Sequence, residues 1–211
     1  VAANTDEPVY GFYNRGLTLA LTKTADDVLG EQRAKRFSHI GFKIKSRYLE
    51  HTLSRETVMR DANFEKAMKL LQEAASGQLF DSLVGALEDL VGRDDWTINE
   101  MDRYRRLCRF LVEEPNDRLG EIADRPILRT VHGGAGSLQE AYRAWRRDGR
   151  VLVCEEASGL TSRLQTDGVP IFLGNFTTGN EELGARRPVT TLISVFIQDR
   201  HEDKLLNRFP V

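Results

Sequence analysis

The sequence predicts a mixed α/β fold: a larger α/β unit with a long helix, a helical connector, and a small α/β/α unit with a short, mostly parallel sheet. Three observations predict it. Residues 9–46 hold aromatic-rich and alternating apolar runs. Residues 61–113 repeat apolar side chains every three or four positions. From residue 126 onward, short apolar runs alternate with helix-start and glycine signals.

Taken in order, VYGFYNRGLTLAL (9–21) is apolar and interrupted by Asn14-Arg15-Gly16, which predicts a strand pair or one bulged strand. Residues 24–36 are polar and helix-tolerant. In 37–46, Ile40, Phe42 and Ile44 alternate with His39, Gly41, Lys43 and Lys45, the pattern of a half-buried strand. From Asp61 the period lengthens. Phe64, Ala67, Met68, Leu71, Ala75, Leu79, Leu83, Leu87 and Leu90 or Val91 mark one long amphipathic helix, or two meeting near Ser76-Gly77. Gly92-Arg93-Asp94-Asp95 stops it. Thr97-Ile98-Asn99-Glu100 has the form of a capping box. Behind it Ile98, Met101, Tyr104, Leu107, Cys108, Leu111 and Val112 keep helical spacing up to Pro115. Residues 116–125 form a polar connector.

In the last third, ILRTV (127–131), VLVC (151–154), VPIFL (169–173) and VTTLISVFI (189–197) are expected strands. HGGAG (132–136) is a turn, and Ser137-Leu138-Gln139-Glu140 opens a helix that Asp148-Gly149 closes. SGLTSRLQTDG is a second, shorter helix, and residues 174–188 are a long polar loop. The expected organisation is therefore 1–95 for the larger unit, 96–125 for the connector, 126–200 for the small unit and 201–211 for a tail.

Composition narrows the function classes. Hydrophobic residues make up 40% and charged residues 29% of 211 positions, so the chain can bury a core without disulfides or metal. A formal charge of −2 gives no electrostatic case for nucleic acid or an anionic membrane. No apolar run approaches the roughly 20 residues of a membrane span. Cys108 and Cys154 each sit among apolar neighbours, as reduced thiols of a cytoplasmic protein do. The chain starts at Val-Ala-Ala-Asn with neither an initiator Met nor a signal peptide, and is expected to be a piece of a longer protein.

His39, His51, His132 and His201 share no metal-ligand spacing with each other or with the cysteines, so no metal site is expected. HGGAG has three readings: oxyanion-hole glycines without their G-x-S-x-G partner, a phosphate-cradling nest, or a tight turn that needs positive φ. The remaining signal is RYLEHTLSRETVMRD (47–61). If Ser54-Arg55-Glu56 opens the long helix, Arg55 puts a cation where the macrodipole is already positive, and Arg60 repeats this a turn later. Either Arg55 is a solvated side chain paired with Glu56, or it adds a guanidinium to an anion site made by Ser54 and the free N–H groups.

Residues 9–91 resemble the middle segment of the heat-shock protein 90 (HtpG-type) chaperones, which are GHKL ATPases. Leu53-Ser54-Arg55-Glu56 carries the likeness, with FYNRGLTL (12–19) and YLEHTLSRETV around it. Beyond residue 95 the likeness rests on element order. The resemblance implies a middle-domain fragment without activity of its own. In the full-length protein Arg55 would reach the γ-phosphate of ATP, bound with Mg in an N-terminal domain, while Ser54 and Glu56 set the loop. It further implies a cytoplasmic homodimer acting on unfolded client proteins. Met59 stands where the family has a Gln that also approaches the nucleotide, and Arg60 is the candidate substitute. The alternative is a non-enzymatic α/β interaction module of a distant GHKL-type ATPase, with Arg55 structural.

Overall fold

A computed structural model describes the backbone of residues 2–3, 8–37, 40–54, 57–113, 118–174 and 187–206, and side chains between residues 8 and 200 within those ranges. The fold is mixed α/β, with small sheets among many helices. The chain divides into two compact units, one built on Val1–Ser82 and the other on Leu83–Val112 and Asn116–Val211.

In the first unit, β1 (Ala2–Ala3), β2 (Tyr10–Asn14), β3 (Leu17–Thr22) and β4 (Ile40–Lys45) form a sheet of order β1-β4-β2-β3. β2 and β3 make the expected strand pair, and the bulge is there as well, between Phe12 and Tyr13. Arg15 and Gly16 both have positive φ, 45° and 91°. A two-residue turn with that twist matches the twist of the strands it joins, which explains the Arg-Gly interruption. Two short helices, α1 (Ala25–Leu29) and α2 (Glu31–Phe37), cross over to β4, which runs parallel to β2. Phe12, Phe42 and Phe64 pack at ring-centroid distances of 5.4–5.5 Å and are almost wholly buried.

The long helix is α3 (Ala62–Ala74), a π-helical turn at Ala75–Leu79, and α4 (Phe80–Val91). Both expectations for residues 61–91 are partly met: there is one continuous helical run, and it is interrupted at Ser76-Gly77. The interruption moves the buried face. Phe80 and Val84 are fully buried, whereas the expected Leu79 and Leu83 are only half-buried. A π turn holds one more residue than an α turn, so every later position is displaced by one.

In the second unit, α5 (Ile98–Glu113) starts at the expected capping box. Glu100 accepts from the Thr97 N–H at 2.8 Å, and its own N–H donates to Thr97 Oγ1 at 3.3 Å. The connector holds one 3-10 turn, Arg118–Gly120. β5 (Leu128–Arg129) does not begin a parallel sheet. It folds straight back on β6 (Ala135–Gly136) as an antiparallel hairpin, because the glycine-rich turn reverses the chain before a helix can carry it across. α6 (Leu138–Asp148) follows, capped by Ser137 and Glu140. β7 (Leu152–Cys154), α7 (Gly159–Thr166) and β8 (Ile171–Leu173) form the expected parallel βαβ unit. An antiparallel bridge from Thr130 to Phe172 adds the hairpin to it.

Residues 189–197 correct the sequence reading. They are not a strand but part of α8 (Pro188–Leu206), which also runs into the expected tail. Their β-branched residues suggest a strand, yet Val189, Leu192, Ile193 and Phe196 are spaced for a helix and all are buried. Pro188 at the first helical position fixes the start. Of the expected 174–188 loop, residues 175–186 lie outside the described residues.

Candidate functional site

The sequence places the candidate site between β4 and α3, and here the structure replaces one premise. Ser54 does not cap a helix. The helix begins at Ala62, and Asp61 is its cap, accepting from the Asn63 and Phe64 N–H groups at 3.0 and 2.9 Å. The first free donors of α3 are thus already used by a carboxylate. Asp61 followed by apolar helical spacing is an ordinary N-cap signal. It was masked by the equally plausible Ser54.

Residues 50–59 instead double back as a hairpin. The Met59 N–H donates to Glu50 O at 2.8 Å, His51 and Val58 form an antiparallel bridge, and the Thr52 N–H donates to Thr57 O at 3.0 Å. Residues 53–56 lie between these closing bonds. Leu53 is fully exposed at 102%, and Ser54 is exposed with its hydroxyl 3.1 Å from that of Thr52. Arg55 and Glu56 lie outside the described residues. Because α3 starts only at Ala62, position 55 is not in its first turn, and the electrostatic misfit disappears.

The other predicted residues part company. Arg60 is drawn to the end of α1, where its guanidinium lies 3.5 Å from Val28 O and beside Gly30. Met59 is half-buried in the hairpin ladder. At the base, Arg33 is bound to both oxygens of Glu65 at 2.7 and 2.9 Å and lies over the Phe64 ring. Arg47 stacks on Tyr48, 4.7 Å from the ring centroid. His51 Nδ1 and Thr57 Oγ1 are buried without a hydrogen bond.

HGGAG is resolved in favour of the tight turn. Its glycine N–H groups point back into the turn: Gly133 donates to Thr130 O at 3.1 Å and Gly134 to Thr130 Oγ1 at 2.9 Å. Gly133 has a φ of 91°, which favours glycine there. At the start of α6, Ser137 N–H is held by Glu140 and Gln139 N–H by Ala123 O. These four donors are therefore engaged within the protein and are not offered to a phosphate.

Cys108 and Cys154 are free thiols. Burial pushes the Cys108 thiol up to about 12, and burial likewise raises the neighbouring Tyr104 hydroxyl well above its usual range. Neither can act as a nucleophile or base near neutral pH. Among the described residues no group of His, Cys, Asp and Glu could hold a metal ion, and no helix is long and apolar enough to cross a membrane. No protein-family model, curated protein or solved structure matches the chain.

Proposed function

We propose that this chain is the middle segment of a heat-shock-protein-90-like ATPase and that Arg55 meets the γ-phosphate of ATP held by a preceding domain. The observation that supports this is the hairpin. It carries Leu53 and Ser54, which precede Arg55 in the sequence, into solvent, where another domain can reach this segment. A guanidinium there has no helix dipole against it and can approach a phosphate in two-point geometry. Delivered from outside the nucleotide pocket, it acts as an arginine finger, offsetting charge that develops on the transferring phosphoryl group. Ser54 shapes the tip through Thr52, and Glu56 is its nearest carboxylate in sequence. Arg60, turned toward α1, and Met59, whose thioether cannot donate a hydrogen bond, leave Arg55 as the catalytic candidate. On this reading the full-length protein is a cytoplasmic homodimer that binds ATP with Mg and handles unfolded client proteins, and the segment alone turns over no ATP.

The test is Arg55→Ala in the full-length protein. Hydrolysis should fall by a factor on the order of 10²–10³, the loss typical of one preorganised charge-stabilising group. Nucleotide affinity should hold within about twofold, since ATP is gripped elsewhere. Hydrolysis at the parental rate would remove Arg55 from the mechanism and favour the non-enzymatic interaction module.

A further inference from the structure

The net charge of −2 hides a local excess of one sign. Residues 8–25 and 40–49, which hold β2, β3 and β4, carry five cations, Arg15, Lys23, Lys43, Lys45 and Arg47, and no carboxylate. Strand alternation sorts the side chains between two faces. Tyr10, Phe12 and Phe42 meet edge-on at ring-centroid distances of 5.5–5.6 Å on the buried face. Gly11, Tyr13, Lys43 and Lys45 therefore point the other way, and the register sets Gly11 beside Lys43 and Tyr13 beside Lys45. Across from Gly11 on the opposite side stands Leu21, 57% exposed. Lys43 and Lys45 are exposed as well, so this part of the face is open to solvent.

The one ring on this face is seated on the backbone. A Cβ on Gly11 would lie 2.8 Å from Tyr13 Cε2 and 3.2 Å from its Cζ. The Tyr13 ring thus leans over the bare glycine, between Leu21 and Lys43, and a larger residue at position 11 would push it off. Tyr13 is half-buried, and among the described residues no second ring stacks on it. Its inner side rests on Gly11, so its exposed side is the outer one. β2 and β4 run parallel, and the Ser46 N–H donates to Tyr13 O at 2.9 Å, so Arg15 and Arg47 follow at the same end of the sheet.

Cations in a row beside a flat ring fit one partner chemistry best: phosphates joined at regular intervals to bases that can stack. An acidic peptide would use the lysines but has no need of the ring. A duplex keeps its bases stacked, and its major groove admits a helix or a two-stranded ribbon, not the broad face of a sheet. We propose that the open face of β2–β4 binds single-stranded nucleic acid: a base stacks on Tyr13 beside Leu21, and Lys43 and Lys45, continued by Arg15 and Arg47, hold the phosphates. This role does not depend on that of Arg55.

Fluorescence anisotropy on the 211-residue chain tests it, with labelled oligouridine and oligothymidine of about twelve nucleotides, within the usual site size. Both should bind at low salt, and the tighter of the two tells whether RNA or DNA is the better ligand. Affinity should fall with salt at a logarithmic slope of about −0.7 per phosphate neutralised. Lys43→Gln with Lys45→Gln should make that slope shallower by about 1.4. Tyr13→Leu keeps a cover over Gly11 but loses the ring, and should weaken binding at least about fivefold, while Tyr13→Phe binds like the parent. Lys43 and Lys45 are exposed, so the double variant folds even where Tyr13→Leu does not. No binding at low salt overturns the proposal. A salt slope that ignores the two lysines overturns it too. So does polyglutamate that displaces the oligonucleotides equally well while Tyr13→Leu binds like the parent, the mark of a surface for acidic peptides.

Discussion

Arg129 offers the sharpest test of how the second unit is held together. Its side chain is buried, at 5% exposure, and its guanidinium binds three main-chain carbonyls at and just beyond the end of α4. It donates to Val91 O at 2.9 Å and also to Arg93 O and Asp94 O. The same group lies 4.7 Å from the centre of the Trp96 ring, and Trp96 in turn donates from Nε1 to Leu90 O. A cation thus satisfies carbonyls that a helix end leaves open, where the macrodipole favours positive charge. Consider Arg129→Met, which keeps the length and loses the charge. Arg93 and Asp94 are exposed, so water can replace the guanidinium at their carbonyls. Val91 is buried, and its unpaired carbonyl costs about 1–3 kcal/mol. Loss of a desolvated cation–π contact adds roughly 1–2 kcal/mol. The expected destabilisation is about 3 kcal/mol, a large share of a typical folding free energy of about 5–15 kcal/mol. Both tryptophans, Trp96 and Trp145, lie in this unit, so fluorescence-detected urea unfolding follows it. A loss below about 1 kcal/mol would mean that the guanidinium does not hold these carbonyls.

Other consequences can be checked with simple measurements. Glu100 is held at about 2, below its ordinary 4.5, first by the Thr97 backbone N–H and then by Arg93. A carboxylate with a depressed folded-state value stabilises above its unfolded value and loses that contribution as pH falls from about 4.5 toward about 2. Glu100→Gln should therefore flatten the acid limb of stability against pH, and an unchanged limb would contradict the cap. Cys108, buried and protonated, should resist a thiol reagent until the protein unfolds, while half-buried Cys154 reacts in the native state; two fast equivalents would be the wrong result. Asp61→Ala removes the acceptor for two N–H groups of α3 and should cost about 1 kcal/mol in thermal unfolding, whereas Asp61→Asn should cost less.

Where local chemistry and tertiary packing agree, the elements were legible in the sequence. The capping boxes at Thr97 and Ser137 and the strand alternation of Ile40, Phe42 and Ile44 all stand in the structure. Illegible features were those where two signals competed. Residues 189–197 combine β-branched composition with helical spacing, and the buried stripe decides for the helix. Ser54 and Asp61 are both good caps, and only the His51–Val58 bridge shows that Ser54 belongs to a hairpin. The shift from Leu79 to Phe80 could not be read from periodicity, because Leu79 and Leu83 have the same four-residue step as Phe80 and Val84. At the candidate site, residues 53–56 were singled out by their motif, while the exposed setting of Leu53 and Ser54 came from pairing between residues seven apart.

In the proposed function, the residue at position 55 meets the terminal phosphate of ATP. Photo-crosslinking with an ATP analogue reactive at its γ-phosphate, in the full-length protein, tests this most directly. Peptide mapping should place label on the segment from Thr52 to Arg60, with the signal lost when unlabelled ATP competes. Label confined to other parts of the protein, with none on this hairpin, would rule out that contact.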